Sequence, residues 1–353
     1  MEGKELLKSL SELPGVSGHE NAIRELLSHE LSSVADEVKS DGMGNVIALK
    51  KGGDSSGRIL LTAHMDEIGL MVSGFWNGFL RVNPVGGLDR RVLLGQEVTV
   101  HGREEIVGVI GARPPHLGGQ DVPKWPDVLI DAGFSSDEEA RKFVRIGDTI
   151  TLNGRFGELL NGKVFGKAFD DRACVVAIVE AFRLLRDVRH RWDVVFLGAV
   201  QEEVGHKGAF TGGYSMYPDL GIALDVGFAT QPGVGKDKAL ESGKGPILAL
   251  GPSFHAPLVK ALKETARKWN IPFQQEVITG ASGTDAWALQ VIRAGIPTAL
   301  ISLPLQSMHT VVEALKWDDV EAASRWLAQF IAGLTAETKD KMRLSLPEEV
   351  QNA

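Results

Sequence analysis

The sequence predicts an α/β fold, a mostly parallel sheet with helices on both faces, interrupted by a β-rich insert. Three observations predict it. From Asp171 onward long helical patterns alternate with apolar strands; two helices and two strands precede residue 70; between Leu70 and Leu160 short alternating runs are broken by Gly and Pro. Both ends of the chain, 1–69 and 161–353, therefore build one domain around a module at 70–160, an insertion that a surface loop tolerates.

The elements follow in order. Met1–Leu13 reads as an amphipathic helix and Ala22–Ser33 as a second one. Asn45–Leu49, the turn Gly52-Gly53-Asp54 and Ile59–Ala63 read as two strands, the second ending in His64. In the insert, Glu97–Val100, Ile106–Ile110 and Thr149–Leu152 alternate like strands and Ser136–Phe143 suggests a helix. Beyond it come a helix to Asp187, strands Val194–Val200 and Ile222–Asp225, helices His255–Trp269 and Ala286–Ala294, strand Thr298–Ser302 and helix Asp318–Leu334. In the last helix Val320, Ala323, Leu327, Phe330, Ile331 and Leu334 form one apolar stripe, with Asp318 and Asp319 at its positive end. The polar tail after Thr335 is expected to fray.

Composition narrows the function. The chain has 353 residues, 43% hydrophobic and 24% charged, the profile of a folded, water-soluble protein of two domains or one large one. Lys plus Arg number 38 against 46 Asp plus Glu, a net charge of -8, with no basic run longer than two, so nucleic acid is excluded as a partner. Apolar stretches such as Val175–Val179 and Val194–Val200 are far below the roughly 20 residues that span a bilayer. The N-terminus lacks an export pattern, and the single Cys174 suits a reducing compartment; both point to the cytoplasm. Cys174 lies in an apolar helical pattern and reads as a buried thiol.

The chemistry sits in clusters that follow strand-like runs: His64-Met65-Asp66, Asp170-Asp171, Glu202-Glu203, Asp225 and, later, His309. The carboxyl ends of parallel strands share one edge, where open α/β sheets place ligands. Imidazoles and carboxylates without a competing cysteine suit zinc, cobalt or manganese. Two cations fit this set: His64 and His309 as terminal ligands, Asp170 as a bridge, and Glu203 and Asp225 each completing one ion. Neighbours in an extended chain point apart, so one of Glu202 and Glu203 can ligate while the other serves as a general base. Asp66, two residues from His64, faces the same side and can orient the ring.

The remaining candidates have plainer readings. His19, His29, His101 and His190 lie in polar surroundings and read as surface residues. His206 is close enough to the glutamate pair to line the pocket, although a loop contact is simpler; His255 has no assignment. Gly280-Ala-Ser-Gly-Thr-Asp285 lacks the Lys of a phosphate loop, so Gly283, Thr284 and Asp285 are expected to cap the next helix and bound the pocket. No Gly-x-Ser-x-Gly elbow is present.

The motifs Pro14-Gly-Val-Ser-Gly18, Thr62-Ala-His-Met-Asp-Glu-Ile-Gly69, Gly111-Ala-Arg-Pro-Pro-His116, Gly166-Lys-Ala-Phe-Asp-Asp-Arg172, Gln201-Glu-Glu-Val-Gly205, Gly283-Thr-Asp-Ala286 and Met308-His309 resemble, as an ordered series, the TET-type metalloaminopeptidases, which include glutamyl and deblocking aminopeptidases. The resemblance implies a phosphorylase/hydrolase-like mixed sheet sandwiched by helices, with a PDZ-like β-barrel insert that helps build homo-oligomers from dimer to tetrahedral dodecamer. It implies a co-catalytic two-metal exopeptidase acting on peptides, with zinc or cobalt as the metals. Carried over by motif, His64, Glu203, Asp225 and His309 are terminal ligands, Asp170 the bridge, Glu202 the base and Asp66 its support; Asp170-Asp171 is implied to be a cis peptide. Two stretches depart from the family pattern: Val226-Gly-Phe-Ala-Thr-Gln-Pro-Gly233 lacks an expected acid, and Leu305-Gln-Ser307 lacks an expected arginine.

Two other functions compete. Paired carboxylates hydrolyse glycosides, and relatives of this family have carried endoglucanase labels; a catalytically silent assembly scaffold is the other. Phe75, Trp76, Phe79 and Trp125 in the insert suit either a subunit interface or the module's own core.

Overall fold

The apolar runs of the two chain ends become the interior of one eight-stranded sheet. The computed structural model describes residues 1–112, 116, 122–235 and 240–342. The N-terminal part contributes α1 (Gly3–Glu12), α2 (Asn21–Leu31), β1 (Glu37–Ser40), β2 (Val46–Lys50) and β3 (Arg58–His64). The middle contributes β4 (Gly69–Trp76), β5 (Phe79–Val85), β6 (Glu97–His101), β7 (Glu105–Ile110), β8 (Leu129–Asp131), α3 (Asp137–Phe143) and β9 (Thr149–Leu152). There follow β10 (Gly157–Leu159), β11 (Lys163–Gly166), α4 (Phe169–Leu185), β12 (Asp193–Ala199), α5 (Lys207–Met216) and β13 (Leu220–Phe228). The last part holds β14 (Ile247–Leu250), α6 (Ala256–Lys268), β15 (Gln274–Val277), α7 (Asp285–Val291), β16 (Thr298–Leu305), β17 (Glu313–Lys316), α8 (Trp317–Ala332) and α9 (Thr338–Lys341).

The sheet runs β1-β2-β12-β3-β13-β16-β14-β15. Its centre, β12-β3-β13-β16, is parallel, whereas β1, β2 and β14 join antiparallel to their inner neighbours. The sheet is therefore mixed, as the family resemblance implies: β1 and β2 form a short-turned hairpin, whereas β15 joins β14 in parallel across α6. Alternate residues serve the two faces: Val194 and Phe196 join the large core under α1, α2, α4, α6 and α8, while Val195 and Leu197 pack with Leu289 of α7, Ile292 just after it and Phe210 of α5. Helix α4 is apolar nearly all round and is buried along most of its length between the sheet, α1 and α8.

Strands β4-β5-β8-β7-β6-β9 close a barrel with its own core, including Leu70, Val100, Ile130 and Ile150. Phe75 and Trp125 pack against that core, with Arg141 over Phe75 at 4.3 Å. Trp76 stays 45% exposed beside Phe79. The motif residues Arg113, Pro114 and Pro115 and the tail from 343 lie outside the described residues. Where fraying was expected after Thr335, the chain forms α9, anchored by buried Thr338.

Four further expectations need correction. Asp170-Asp171 follows β11, in the three-stranded sheet β10-β11-β17, and opens α4 instead of ending a strand of the main sheet. Asp225 lies within β13, not at its end. His101 and His190 are half-buried, because a β-barrel threonine and a turn carbonyl give their rings partners: His101 Nε2 lies 2.9 Å from Thr151 Oγ1 and His190 Nδ1 lies 2.8 Å from Trp192 O.

Asp193 ties the turn before β3 to the start of β12. Its carboxylate accepts the Gly52 N–H at 3.0 Å and Ser55 Oγ–H at 2.8 Å, and pairs with Arg58. Against the burial that would raise it, these contacts hold the Asp193 carboxyl below its ordinary range. A depressed acid stabilises the fold above its unfolded pKa, about 4, and loses that contribution as pH falls. Asp193→Asn should therefore lower Tm at neutral pH, and thermal denaturation across an acid series should show the gap from wild type shrinking toward pH 3.

Candidate metal centre

Parallel strands deliver the site's side chains to one edge. His64 is the last residue of β3, Glu202 and Glu203 follow β12, Asp225 comes from β13, and His309 follows β16. These strands are neighbours in the order β12-β3-β13-β16, so residues remote in sequence meet at their carboxyl ends. Asp170 arrives from the other side, at the first turn of α4, through a cis peptide to Asp171.

Asp170 lies between the two histidines. Its Oδ1 is 3.1 Å from His64 Nε2 and its Oδ2 is 3.1 Å from His309 Nε2. Glu203 Oε1 lies 3.2 Å from His309 Nε2, and Glu202 Oε2 3.9 Å from His64 Nε2. Donor atoms of His64, Asp171 and Asp225 also fall within 4.8 Å of one another, as do those of His64, Asp170 and Glu203. The sequence-derived residues thus come together, and Asp171 joins them.

The outer nitrogen of each ring decides what the inner one can do. His64 Nδ1 is 3.1 Å from Asp66 O, and His309 Nδ1 is 2.8 Å from Gly87 O. A carbonyl oxygen only accepts, so each Nδ1 carries the hydrogen. A neutral ring then aims the Nε2 lone pair at an Asp170 oxygen, an arrangement that repels unless positive charge lies between them. Burial opposes charging either ring, yet Asp170 and Asp66 drive His64 well above its ordinary pKa, and Asp170 and Glu203 raise His309 to about 11. The same charge pattern fits divalent cations, which ligate through Nε2 and leave Nδ1–H to its acceptor.

The buried carboxylates point the same way. Burial, reinforced by Asp171, Asp170 and Glu202, pushes Asp225 far up; burial does the same to Asp171, whose Oδ1 has no hydrogen-bond partner among the described residues. Like charges packed this closely resist ionisation until a cation offsets them. Nitrogen and oxygen donors of this kind suit transition-metal dications.

A supporting shell fixes the clustered side chains. Asp66 accepts the backbone N–H groups of Glu202 at 3.0 Å and Glu203 at 3.2 Å and the Ser17 hydroxyl at 2.5 Å. Its carboxylate therefore anchors the glutamate pair as well as facing the His64 ring at 3.4 Å. Cys174 Sγ–H donates to Asp225 O, and burial raises its thiol far above the ordinary value, which leaves it unreactive.

His206 is part of the site rather than a loop contact. Its Nδ1 lies 2.7 Å from Glu202 Oε1, with the ring N–H angled off the oxygen, and 3.6 Å from Asp285 Oδ1. These carboxylates raise His206 to about 9. Thr284 caps α7 as expected, and Asp285 accepts from Thr62 Oγ1 at 3.3 Å. His255 stands apart, beneath α6. The two stretches that depart from the family pattern meet each other: Ser307 N–H donates to Gln231 Oε1 at 2.7 Å and Gln306 Nε2 to Thr230 O at 2.6 Å.

Glu313 was not anticipated. It accepts the backbone N–H groups of Asp170 and His309, and burial lifts its carboxyl to about 8. Its signal was weak because it sits in the apolar run Val311-Val-Glu-Ala-Leu315, away from any histidine-carboxylate cluster.

The sequence profile of the M42 glutamyl aminopeptidase family matches residues 44–326. The chain belongs to the M42 peptidase family. Among M42 relatives, it is 39% identical over 326 residues to the lysyl aminopeptidase of Pyrococcus furiosus, spanning 90% of this chain and 93% of that one. Its fold is similar to an aminopeptidase from Desulfurococcus kamchatkensis, at TM-score 0.92, 36% identity and 98% coverage of both chains. It is also similar to the TET1 peptidase of Pyrococcus horikoshii, which assembles into a tetrahedron or a large octahedral shell, at TM-score 0.84 and 35% identity, covering 94% of this chain and all 100% of that one.

Because the inner nitrogens bind protons and cations in competition, cation binding should release protons and tighten as pH rises toward the His309 value of about 11. Calorimetry with Zn(II) or Co(II) in two buffers of different ionisation enthalpy should measure that release. Chelation should lower Tm, by the linkage that makes saturation at 100 times Kd worth about 2.7 kcal/mol.

Proposed function

We propose that this M42 family member is a dinuclear metal-dependent aminopeptidase that removes N-terminal residues from peptides. The observation that carries the reading is Asp170, whose two oxygens each face the inner nitrogen of a different histidine. In this reading His64, Asp170 and Asp225 would hold one cation, and Asp170, Glu203 and His309 the other. Two divalent ions, zinc or cobalt by donor chemistry, would supply Lewis acidity at the scissile carbonyl and lower the pKa of the attacking water.

Glu202 is the proposed base. Burial raises its carboxyl, and Oε2 lies on the His64 side of the centre while Oε1 lies 2.7 Å from His206 Nδ1. A carboxylate so placed accepts a proton from the attacking water and returns it to the leaving amine. Asp66 holds the backbone of the glutamate pair, which fixes where that carboxylate points.

A glycosidase needs two free carboxyls flanking the bond it cuts. Here Glu202, Glu203 and Asp170 all lie against histidines, which favours the peptidase. The complete ligand set likewise speaks against a silent scaffold.

We further propose the division sketched by the sequence: 1–69 with 161–353 catalytic, and 70–160 an oligomerisation module. Val107, Val109 and Trp76, exposed on barrel strands, support an interface there, and the horikoshii relative assembles into a closed shell. Among the described residues no helix is long and apolar enough to cross a membrane; the lone buried thiol of Cys174 supports a cytoplasmic location.

Chelation should abolish release of aniline from aminoacyl anilides, and Zn(II) or Co(II) should restore it; activity indifferent to chelator would remove the metallopeptidase reading. Glu202→Gln should keep its cations and lose about 10²- to 10⁴-fold in kcat. Light scattering of the purified chain should report an assembly larger than a monomer.

A further inference from the structure

We propose that Glu313 is a positioning residue, a carboxylate clamp that joins the backbones of Asp170 and His309 and so sets the spacing between the bridging acid and the imidazole it faces. The inference rests on the metallopeptidase reading. Glu313, the first residue of β17, is 2% exposed. Its Oε1 accepts the His309 N–H at 2.7 Å and its Oε2 the Asp170 N–H at 3.0 Å. Both oxygens are thus engaged, one within its own loop and one on a segment 143 residues earlier.

The fold brings the two segments to this carboxylate. Strand β17 pairs with β11 so that Glu313 lies opposite Gly166, just before α4 begins. The loop carrying His309 is closed at its base by paired backbone bonds between Gln306 and Ala314, at 2.9 and 3.0 Å. At its apex Thr310 Oγ1–H donates to Ser307 O at 2.7 Å and Val312 N–H to Thr310 Oγ1 at 3.2 Å, and neither bond holds the backbone of His309. His309 has φ +61, a conformation that residues with a Cβ adopt reluctantly. Gly87 O holds the ring, and Glu313 holds the backbone. Without the carboxylate two N–H groups lose their acceptor, the His309 backbone is held only through its neighbours, and Asp170 is no longer tied to it. The paired base of the loop and the β11-β17 ladder do not depend on the side chain, so the fold should survive its removal.

The test compares Glu313→Ala and Glu313→Gln with Asp319→Asn. Asp319 is a matched control: 1% exposed, it also clamps two backbone N–H groups, of Gly243 at 2.7 Å and Gly245 at 2.8 Å, but outside the centre. Zn(II) and Co(II) affinities are read by competition with a chelator, and kcat and KM are measured at saturating cation. Glu313→Ala should bind cations about 10- to 100-fold more weakly, the usual effect of removing a residue that orients ligands. Its kcat should fall with KM little changed. Glu313→Gln, which keeps one accepting oxygen and turns an NH₂ toward the other N–H, should lie between. Asp319→Asn should lower Tm and leave cation affinity at the wild-type value. The clamp is overturned if Glu313→Ala binds as tightly as wild type, or if Asp319→Asn weakens binding as much. Should Glu313→Ala not fold, wild-type affinity in folded Glu313→Gln overturns it equally. A wild-type chain that binds neither cation fails a different assay and removes the metallopeptidase reading itself.

Discussion

The concentration of negative charge around Asp170 is the constraint on which the centre depends. Asp170, Asp171, Asp225 and Glu202 are all buried at one point, with Glu203 beside them. Carboxylates cannot be gathered out of water at this density without positive charge among them. Histidines supply part of it, and their geometry shows the direction of the remainder: each has its outer nitrogen committed to a carbonyl and its inner nitrogen aimed at an Asp170 oxygen. Neutral rings would place lone pair against lone pair. A divalent cation would relieve the repulsion between acids and that between ring and acid together.

Building such a cluster requires a frame stiff enough to keep the acids from separating. Strands β12, β3, β13 and β16 are buried almost throughout and lie side by side. Their common direction means that His64, Glu202, Glu203, Asp225 and His309 emerge at one edge without any long loop having to fold back. Asp170 is the exception, since it enters from α4, and it needs separate anchoring. Arg172, two residues on, is fully buried and donates to Leu10 O, Leu13 O and Met65 O, which pins the start of α4 to the N-terminal segment and to the loop after His64.

The parts of this arrangement visible in the sequence were those where a local pattern and the tertiary role coincide. Strand β3 is a plain apolar run ending in His64, and α8 carries one apolar stripe, so both could be read directly. Helix α5 could not. Its sequence Lys-Gly-Ala-Phe-Thr-Gly-Gly-Tyr-Ser-Met contains glycines that disfavour a helix, but a Cβ on Gly212 would meet Leu197 at 2.4 Å and one on Gly213 would meet Leu289 at 2.7 Å. Close packing on the sheet overrides propensity there. Strands β14 and β15 are only four residues each, too short for a period to emerge. At the centre, histidines and paired acids announced themselves, whereas Glu313 and the roles of Asp171 and His206 depend on contacts across the fold that spacing does not encode.

The barrel's relation to the centre follows from the same accounting of hydrogen bonds. The chain leaves β5 through Gly86 and Gly87, and Gly87 O is the acceptor that fixes the His309 ring. A side chain would not fit: a Cβ on Gly87 would stand 2.9 Å from His309 Nδ1, and one on Gly86, at φ +78, would stand 2.7 Å from Ile68 Cγ2 and 3.2 Å from Glu203 Oε2. The insert therefore contributes backbone to the very imidazole that Asp170 and Glu203 face. The cluster therefore draws on both parts of the chain: the α/β sheet delivers His309, and a carbonyl just beyond β5 sets the tautomer of its ring.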